Sequence, residues 1–449
     1  MFLSQVVRLG INTYFTSVNK AKALLIITRD HFMHDSMHRN SSLLILSQAV
    51  NAGCGFLFWI INAHLFSSAY LGFATAFISF SMLAATFTNL GLPNTVIRFL
   101  PTANRRGGLF TASLILVMVS SLMGGVIALL LTKPLLPKFA FIHSSPALSL
   151  IFILMVCGTA VSALLDSTVM AFRKGEYVLR KALITNLPRI ILPFFVVAAG
   201  VEGMTGIYVA TLLLGIGYNL FTVFRRLLKS ERLLPTLAEV GKHRSYAASN
   251  YFGGVFGVLP VTLVPLVVLS VRGASAAAYF YMPMMIAAFL SVICSAVSQA
   301  LISECSQTDD VAKHRVFLKK ALSHEYQLLT PLVVLLLVLG WPILRLYGSA
   351  YAMNGYLPLV ILLGSSLIVG INWLGDTWLN IKKRSRDYFV MNAFNAFAVV
   401  AFVYVFAPHG LVAAAFGWLC GQLLSAVVYL TIFARGQRVL VADRFKTFS

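Results

Sequence analysis

The sequence predicts an all-α polytopic membrane protein: twelve transmembrane helices in two pseudo-symmetric six-helix lobes, with both termini cytoplasmic. Three observations predict this. Charged residues make up 11% of the 449-residue chain, against about 25% in soluble domains, and the mean hydropathy is +0.85. Apolar runs recur from Ser41 to Ala434, each long enough to cross a roughly 30 Å hydrocarbon core as a helix. They are too long and too uniform for barrel strands, and backbone in lipid must bond to itself. Basic residues, finally, alternate in density from one connection to the next.

Twelve spans fall at 41–66, 70–92, 108–132, 147–171, 182–200, 204–224, 246–270, 274–303, 326–345, 354–381, 388–407 and 409–434. With the amino terminus inside, 30 of the 35 Lys and Arg lie in cytoplasmic segments. Lys133, Lys138, Arg272 and Arg345 lie outside, and Arg189 alone lies within a span. Omitting one helix would invert every later loop, so this bias supports the count. The net charge of +21 follows from the same rule and calls for no nucleic-acid partner.

The connections are too short for an extramembrane domain, and no cleavable signal pattern opens the chain. Residues 1–40 form a basic cytoplasmic segment in which Val6, Leu9, Ile11 and Phe15 alternate with Arg8, Lys20 and Lys22. That pattern suits an amphipathic helix on the inner membrane surface. Residues 41–228 form the first lobe, 229–245 a cytoplasmic linker, 246–434 the second lobe and 435–449 a cytoplasmic tail. Six spans on each side of the linker imply a parallel repeat. Its trace is a matched pair of span ends: LLDSTVMAFRKGEY, with Asp166 ahead of Arg173, and WLGDTWLNIKKRSRDY, with Asp376 ahead of Lys383.

The candidate site residues are polar groups inside or beside spans. In NLPRIILPFF, Arg189 lies between Pro188 and Pro193. A guanidinium at mid-bilayer costs about 2.5–3.5 kcal/mol, so it is expected to face a wet cavity or a partner. The prolines free backbone carbonyls that need polar neighbours. Arg98, in LGLPNTVIRFLP, is the second candidate. The two are expected to converge from one lobe as an electropositive pocket suited to a diphosphate, onto which Arg forks. The snorkelling or structurally paired arginine is the plainer alternative.

Asp166 and Asp376 are read as the only carboxylates well inside spans: ion-coupling candidates, or partners for nearby Arg and Lys. Gln48 and Asn51 share one face of the first span, and Asn250 and Gln299 mark the seventh and eighth; each suits glycan contact or helix–helix bonding. The Gly253–Gly257 and Gly417–Gly421 pairs read as close packing. Cys54, Cys157, Cys294, Cys305 and Cys420 are scattered and read as small apolar residues. His31, His34 and His38 lie in a polar tail, and no metal site is expected. No G-x-x-x-x-G-K-[ST] run occurs, and no nucleophile–base set converges. The sequence implies neither an enzyme nor a cofactor.

Two stretches then suggest a family. The first is ILSQAVNAGCGFLFWIINAHLFSSAYLGFATAFISFSMLAATFTNLGLPNTVIRFLP, with its polar first span, Tyr70-x-Gly72 turn and NLGLPNTVIRFLP close. The second is PILRLYGSAYAMNGYLPLVILLGSSL, with Gly348 and Tyr351. Together they resemble the polysaccharide transporters of the multidrug/oligosaccharidyl-lipid/polysaccharide (MOP) flippase superfamily. The resemblance implies an O-antigen-flippase-like protein of the bacterial inner membrane. Such a protein moves a polyprenyl-diphosphate-linked oligosaccharide outward by alternating access, alongside a glycan polymerase and glycosyltransferases. Arg98 lies where NLGLPNTVIRFLP matches the family pattern, whereas Arg189 is assigned from physical chemistry alone. An ion-coupled multidrug exporter of the same superfamily (MATE-type) is the leading rival. A non-transporting scaffold of a glycan-synthesis complex is a third reading.

Overall fold

The computed structural model describes residues 36–135, 137–305, 310–382 and 384–446. Side chains at a few further positions, Asn250 and those beyond residue 431 among them, lie outside that description. The amphipathic segment expected in residues 1–40 lies outside the described residues but for its last few.

Every regular element among the described residues is helical. The amino-terminal half holds α1 (Ser36–Leu65), α2 (Ser68–Thr88), the short α3 (Leu92–Phe99), α4 (Arg106–Leu135), α5 (Pro146–Ala171), α6 (Gly175–Ile191) and α7 (Gly200–Thr222). The short α8 (Leu237–Gly241) leads into α9 (Arg244–Arg272), α10 (Ala274–Ala288), α11 (Ser291–Cys305) and α12 (Val311–Arg345). α13 (Ser349–Ile381), α14 (Ser385–Phe406) and α15 (Leu411–Lys446) complete the chain. Among the described residues, eleven segments are long and apolar enough to cross a membrane, with α10 and α11 forming one.

The segment expected to cross at 182–200 is not among them. α6 starts at Gly175, is 17 residues long and carries Glu176, Arg180, Lys181 and Arg189. Beyond it the chain continues in 3-10 turns at Leu192–Phe195 and Val197–Ala199. Pro188 and Pro193 cannot donate to the preceding turn, which ends the α-helix early. The ninth span also differs: α12 begins at Val311, well before residue 326. Asp310, read from the sequence as a loop acid, caps it by accepting from Ala312 N at 2.8 Å.

Other helix starts follow local chemistry. Ser67 accepts from Tyr70 N ahead of α2, and Ser145 accepts from Leu148 N ahead of Pro146 in α5. One apolar core runs through both halves. In the first half, α1 packs on α6 while α5 packs on α4 and α7; in the second, α13 and α14 pack on α15 and α9 on α14.

Helix α2 joins the halves, packing on α9 and α10. Two motif glycines make that approach possible. A Cβ on Gly72 would lie 1.8 Å from the Ala274 carbonyl oxygen, and one on Gly91, at φ +68°, would lie 2.1 Å from that of Ala247. Gly417 and Gly421 likewise admit the backbone of α14 at Phe402 and Val399. The Gly253–Gly257 pair does not pack this way. Gly253 meets only the Tyr388 ring, and Gly257 faces a cavity.

Candidate functional site

A hollow with polar groups on its wall lies within the carboxyl-terminal half. It is a cavity of about 590 Å³, walled by α9, the α10–α11 break, α13, α14 and α15. The break at Phe289 and Leu290 is a turn closed by bonds from Val292 N to Phe289 O and from Ile293 N to Leu290 O. Irregular backbone at membrane depth is tolerated where it lines a cavity, as it does here.

Six amides and two indoles are set in a mostly apolar wall. On α13, Asn372 donates from Nδ2 to Gln422 Oε1 of α15 at 2.7 Å, and Asn395 of α14 donates to the same oxygen at 3.3 Å. Asp376, one turn beyond Asn372, accepts from Asn392 Nδ2 at 2.8 Å and from the Tyr429 hydroxyl. Both bonds land on Oδ1, and Oδ2 takes neither. Trp373 and Trp418 add aromatic faces.

Of the residues singled out from sequence, Asp376 and Gln299 line this cavity. Gln299, exposed, donates to Ser295 Oγ at 3.2 Å. The Asn250 side chain lies outside the described residues. The other candidates lie elsewhere. Asn51 accepts from Asn186 Nδ2 at 2.7 Å and ties α1 to α6; Gln48 is exposed on α1.

The expected convergence of Arg98 and Arg189 does not occur. Arg98, exposed at the end of α3, stacks across the junction between the halves on Tyr246 of α9, with Cζ 4.7 Å from the ring centroid. Arg189 belongs to the α6–α7 pair. Its Nε and Nη2 donate to Thr211 Oγ1 at 3.1 and 3.0 Å, and Cζ lies 3.9 Å from the Tyr208 centroid. Among the described residues it pairs with no carboxylate. Its charge is held but not neutralised.

Asp166 has a cation of its own. Lys181 Nζ reaches both of its oxygens, and Asn219 Nδ2 donates to Oδ1. Of the two readings of Asp166, ion coupling or pairing with a nearby Arg or Lys, the structure shows the pair, with Lys181.

One acid was missed. Glu325 falls just before the expected ninth span, yet the long α12 continues through it and buries it fully, as a buried carboxylate additional to Asp166 and Asp376. Gly370 leaves the room that Glu325 occupies, and neither oxygen meets a strong hydrogen-bond donor. The Cys294 thiol, on the cavity wall, is a weak donor beside it. The signal was present in the helical stripe His314, Leu318, Ala321, Glu325, Leu329, which turns one face inward.

A family model described as polysaccharide biosynthesis protein matches residues 37–308, more than half of the chain. The chain belongs to that family, within the MOP flippase superfamily. No curated protein matches it. An inward-facing multidrug resistance MATE family transporter of the MOP superfamily superposes with a TM-score of 0.68 at 13% identity, covering 89% of this chain and 99% of that one. An outward-facing multidrug resistance MATE family transporter of the MOP superfamily gives 0.61 at 11%, covering 91% and 96%. A MOP superfamily transporter from Pyrococcus furiosus Vc1, described by the reverse polarity of its binding pocket, gives 0.62 at 12%, covering 90% and 95%. At these identities the likeness is one of fold. This MOP-superfamily member is thus a multi-pass membrane protein whose family and fold are those of transporters.

Proposed function

We propose that the protein carries a polyprenyl-diphosphate-linked oligosaccharide, an O-antigen, capsule or exopolysaccharide repeat unit, from the cytoplasmic to the outer leaflet of a bacterial inner membrane by alternating access. The observation that supports this reading most is Arg189. It is a permanent cation on α6, the helix packed between α1 and α7, anchored by a hydroxyl and a ring, and no carboxylate cancels it among the described residues. Such a group attracts a diphosphate and repels the organic cations that a drug exporter takes. The polysaccharide family points the same way. The test is surface glycan in a strain complemented with Arg189→Glu: export is lost while the membrane level of the protein is unchanged. Normal export in both Arg189→Glu and Arg189→Ala overturns the reading.

A MATE-type exporter is the second reading, and Asp376 favours it: an acid beside an aromatic-walled cavity, with no cation paired to it among the described residues. Transport of a lipophilic cation that Asp376→Asn abolishes, with glycan export intact, would establish that function instead.

A further inference from the structure

We infer that the cavity of the carboxyl-terminal half is a neutral-sugar subsite, which grips the glycan rather than the diphosphate. This rests on the flippase reading above. The polar part of the wall holds unspent acceptors. Asn372, only 4% exposed, spends its Nδ2 on Gln422 and leaves its Oδ1 buried with no partner, and Asn395 Oδ1 stands the same way. A buried acceptor without a partner costs about 1–3 kcal/mol, which a turn of the amide toward a donor in the cavity recovers. Asp376 Oδ2 adds a third acceptor on the same wall.

Sugar hydroxyls are such donors. The apolar faces of a sugar ring, in turn, suit the indoles of Trp373 and Trp418, which pair a flat hydrophobic body with a polar edge. The size agrees: about 590 Å³ falls within the roughly 300–1,000 Å³ of small-molecule sites. A bare metal cation needs oxygens converging at about 2.3–2.6 Å, not amides spread over three helices around a wide space. A diphosphate would meet a carboxylate and no arginine or lysine on this wall.

Gly254 gives a clean way to test this. It lines the cavity, and a Cβ built there meets nothing within 4 Å, so a larger side chain fills space without displacing a neighbour. The probe is the neutral oligosaccharide released by mild acid from the host cell's own polyprenyl-diphosphate-linked pool. Saturation-transfer NMR on the purified full-length protein reads its binding. Transfer to ring protons is expected in the wild type and in Gly364→Leu, another glycine whose Cβ meets nothing within 4 Å and which is not on the cavity wall. It should be lost in Gly254→Leu and fall at least tenfold in Asn395→Leu. Transfer unchanged in both cavity variants overturns the subsite, as does a thermal shift by sodium chloride alone with no transfer to sugar. Export separates the two proposals. If Gly254→Leu exports glycan normally while Arg189→Glu does not, the subsite falls and the flippase reading stands. If neither variant affects export, both fall.

Discussion

Lys181 reaches from α6 to α5 and holds Asp166 at both oxygens, with Nζ 2.9 Å from Oδ1 and 2.7 Å from Oδ2. Asn219 of α7 donates to the same Oδ1 at 2.7 Å, so one carboxylate pins three helices together. The ammonium side chain is 13% exposed and the carboxylate 30%. Removing one partner of a fully buried pair costs about 3–5 kcal/mol; at this partial exposure we expect on the order of 2 kcal/mol. Asp166→Asn should therefore melt several degrees below the wild type in detergent. Adding Lys181→Met should recover at least half of the loss, because no charge is then stranded. Equal melting temperatures in all three proteins would show that the pair contributes nothing.

Glu325 predicts the opposite sign. Its carboxyl is fully buried with no partner but the weak Cys294 thiol, a costly arrangement that charge removal relieves. Glu325→Gln should keep or raise the melting temperature. If export falls in the same variant, the acid is held there for function at the expense of stability. A melting temperature lower by more than about 1 kcal/mol equivalent would mean that the carboxylate has a partner that stabilises it.

The glycines of the two family-like motifs carry a third prediction. At Gly72 and Gly91 an added Cβ meets backbone carbonyl oxygen of the other half, at Ala274 and Ala247, and backbone cannot swing aside. Gly72→Val and Gly91→Val should each reduce folded protein by well over half in size-exclusion profiles. Gly217→Val, where a Cβ meets nothing within 4 Å, should not. Normal profiles for the first two would show that α2 does not bind α9 and α10 this closely.

Those glycines also mark how far the sequence could be read. Apolar run length and the distribution of Lys and Arg were enough for a two-half helical bundle, because a bilayer imposes both directly. Motif glycines were legible as landmarks, though not as the contact between the halves, since that contact is to backbone distant in sequence. The cavity was less legible. Asn372, Asn392, Asn395 and Gln422 are single amides on three helices, each explained equally well by helix–helix bonding, and only the packing of α13, α14 and α15 gathers them. Glu325 was hidden by its neighbours. Lys313, Arg315, Lys319 and Lys320 lower the local hydropathy of α12 enough to imitate a loop, although they occupy the outer face of a continuous helix.

The setting of Arg189 yields the last prediction. Two nitrogens of one guanidinium converge on Thr211 Oγ1, whose own hydrogen is committed to the Ile207 carbonyl at 2.9 Å. The hydroxyl is thus a fixed acceptor that aims the planar group over Tyr208. Lysine keeps the charge but has neither the fork nor the flat face that stacks. Arg189→Lys should therefore export measurably more surface glycan than Arg189→Glu and several-fold less than the wild type. Thr211→Val, nearly the same shape, removes the hydroxyl, both the acceptor for Arg189 and the donor to the helix carbonyl, and should reduce export without lowering protein level. Because both changes act on one arrangement, the double variant Arg189→Lys/Thr211→Val should export no less than Arg189→Lys. Losses that multiply in the double variant would mean that Thr211 contributes independently of the arginine, and its role in positioning that group would have to be given up.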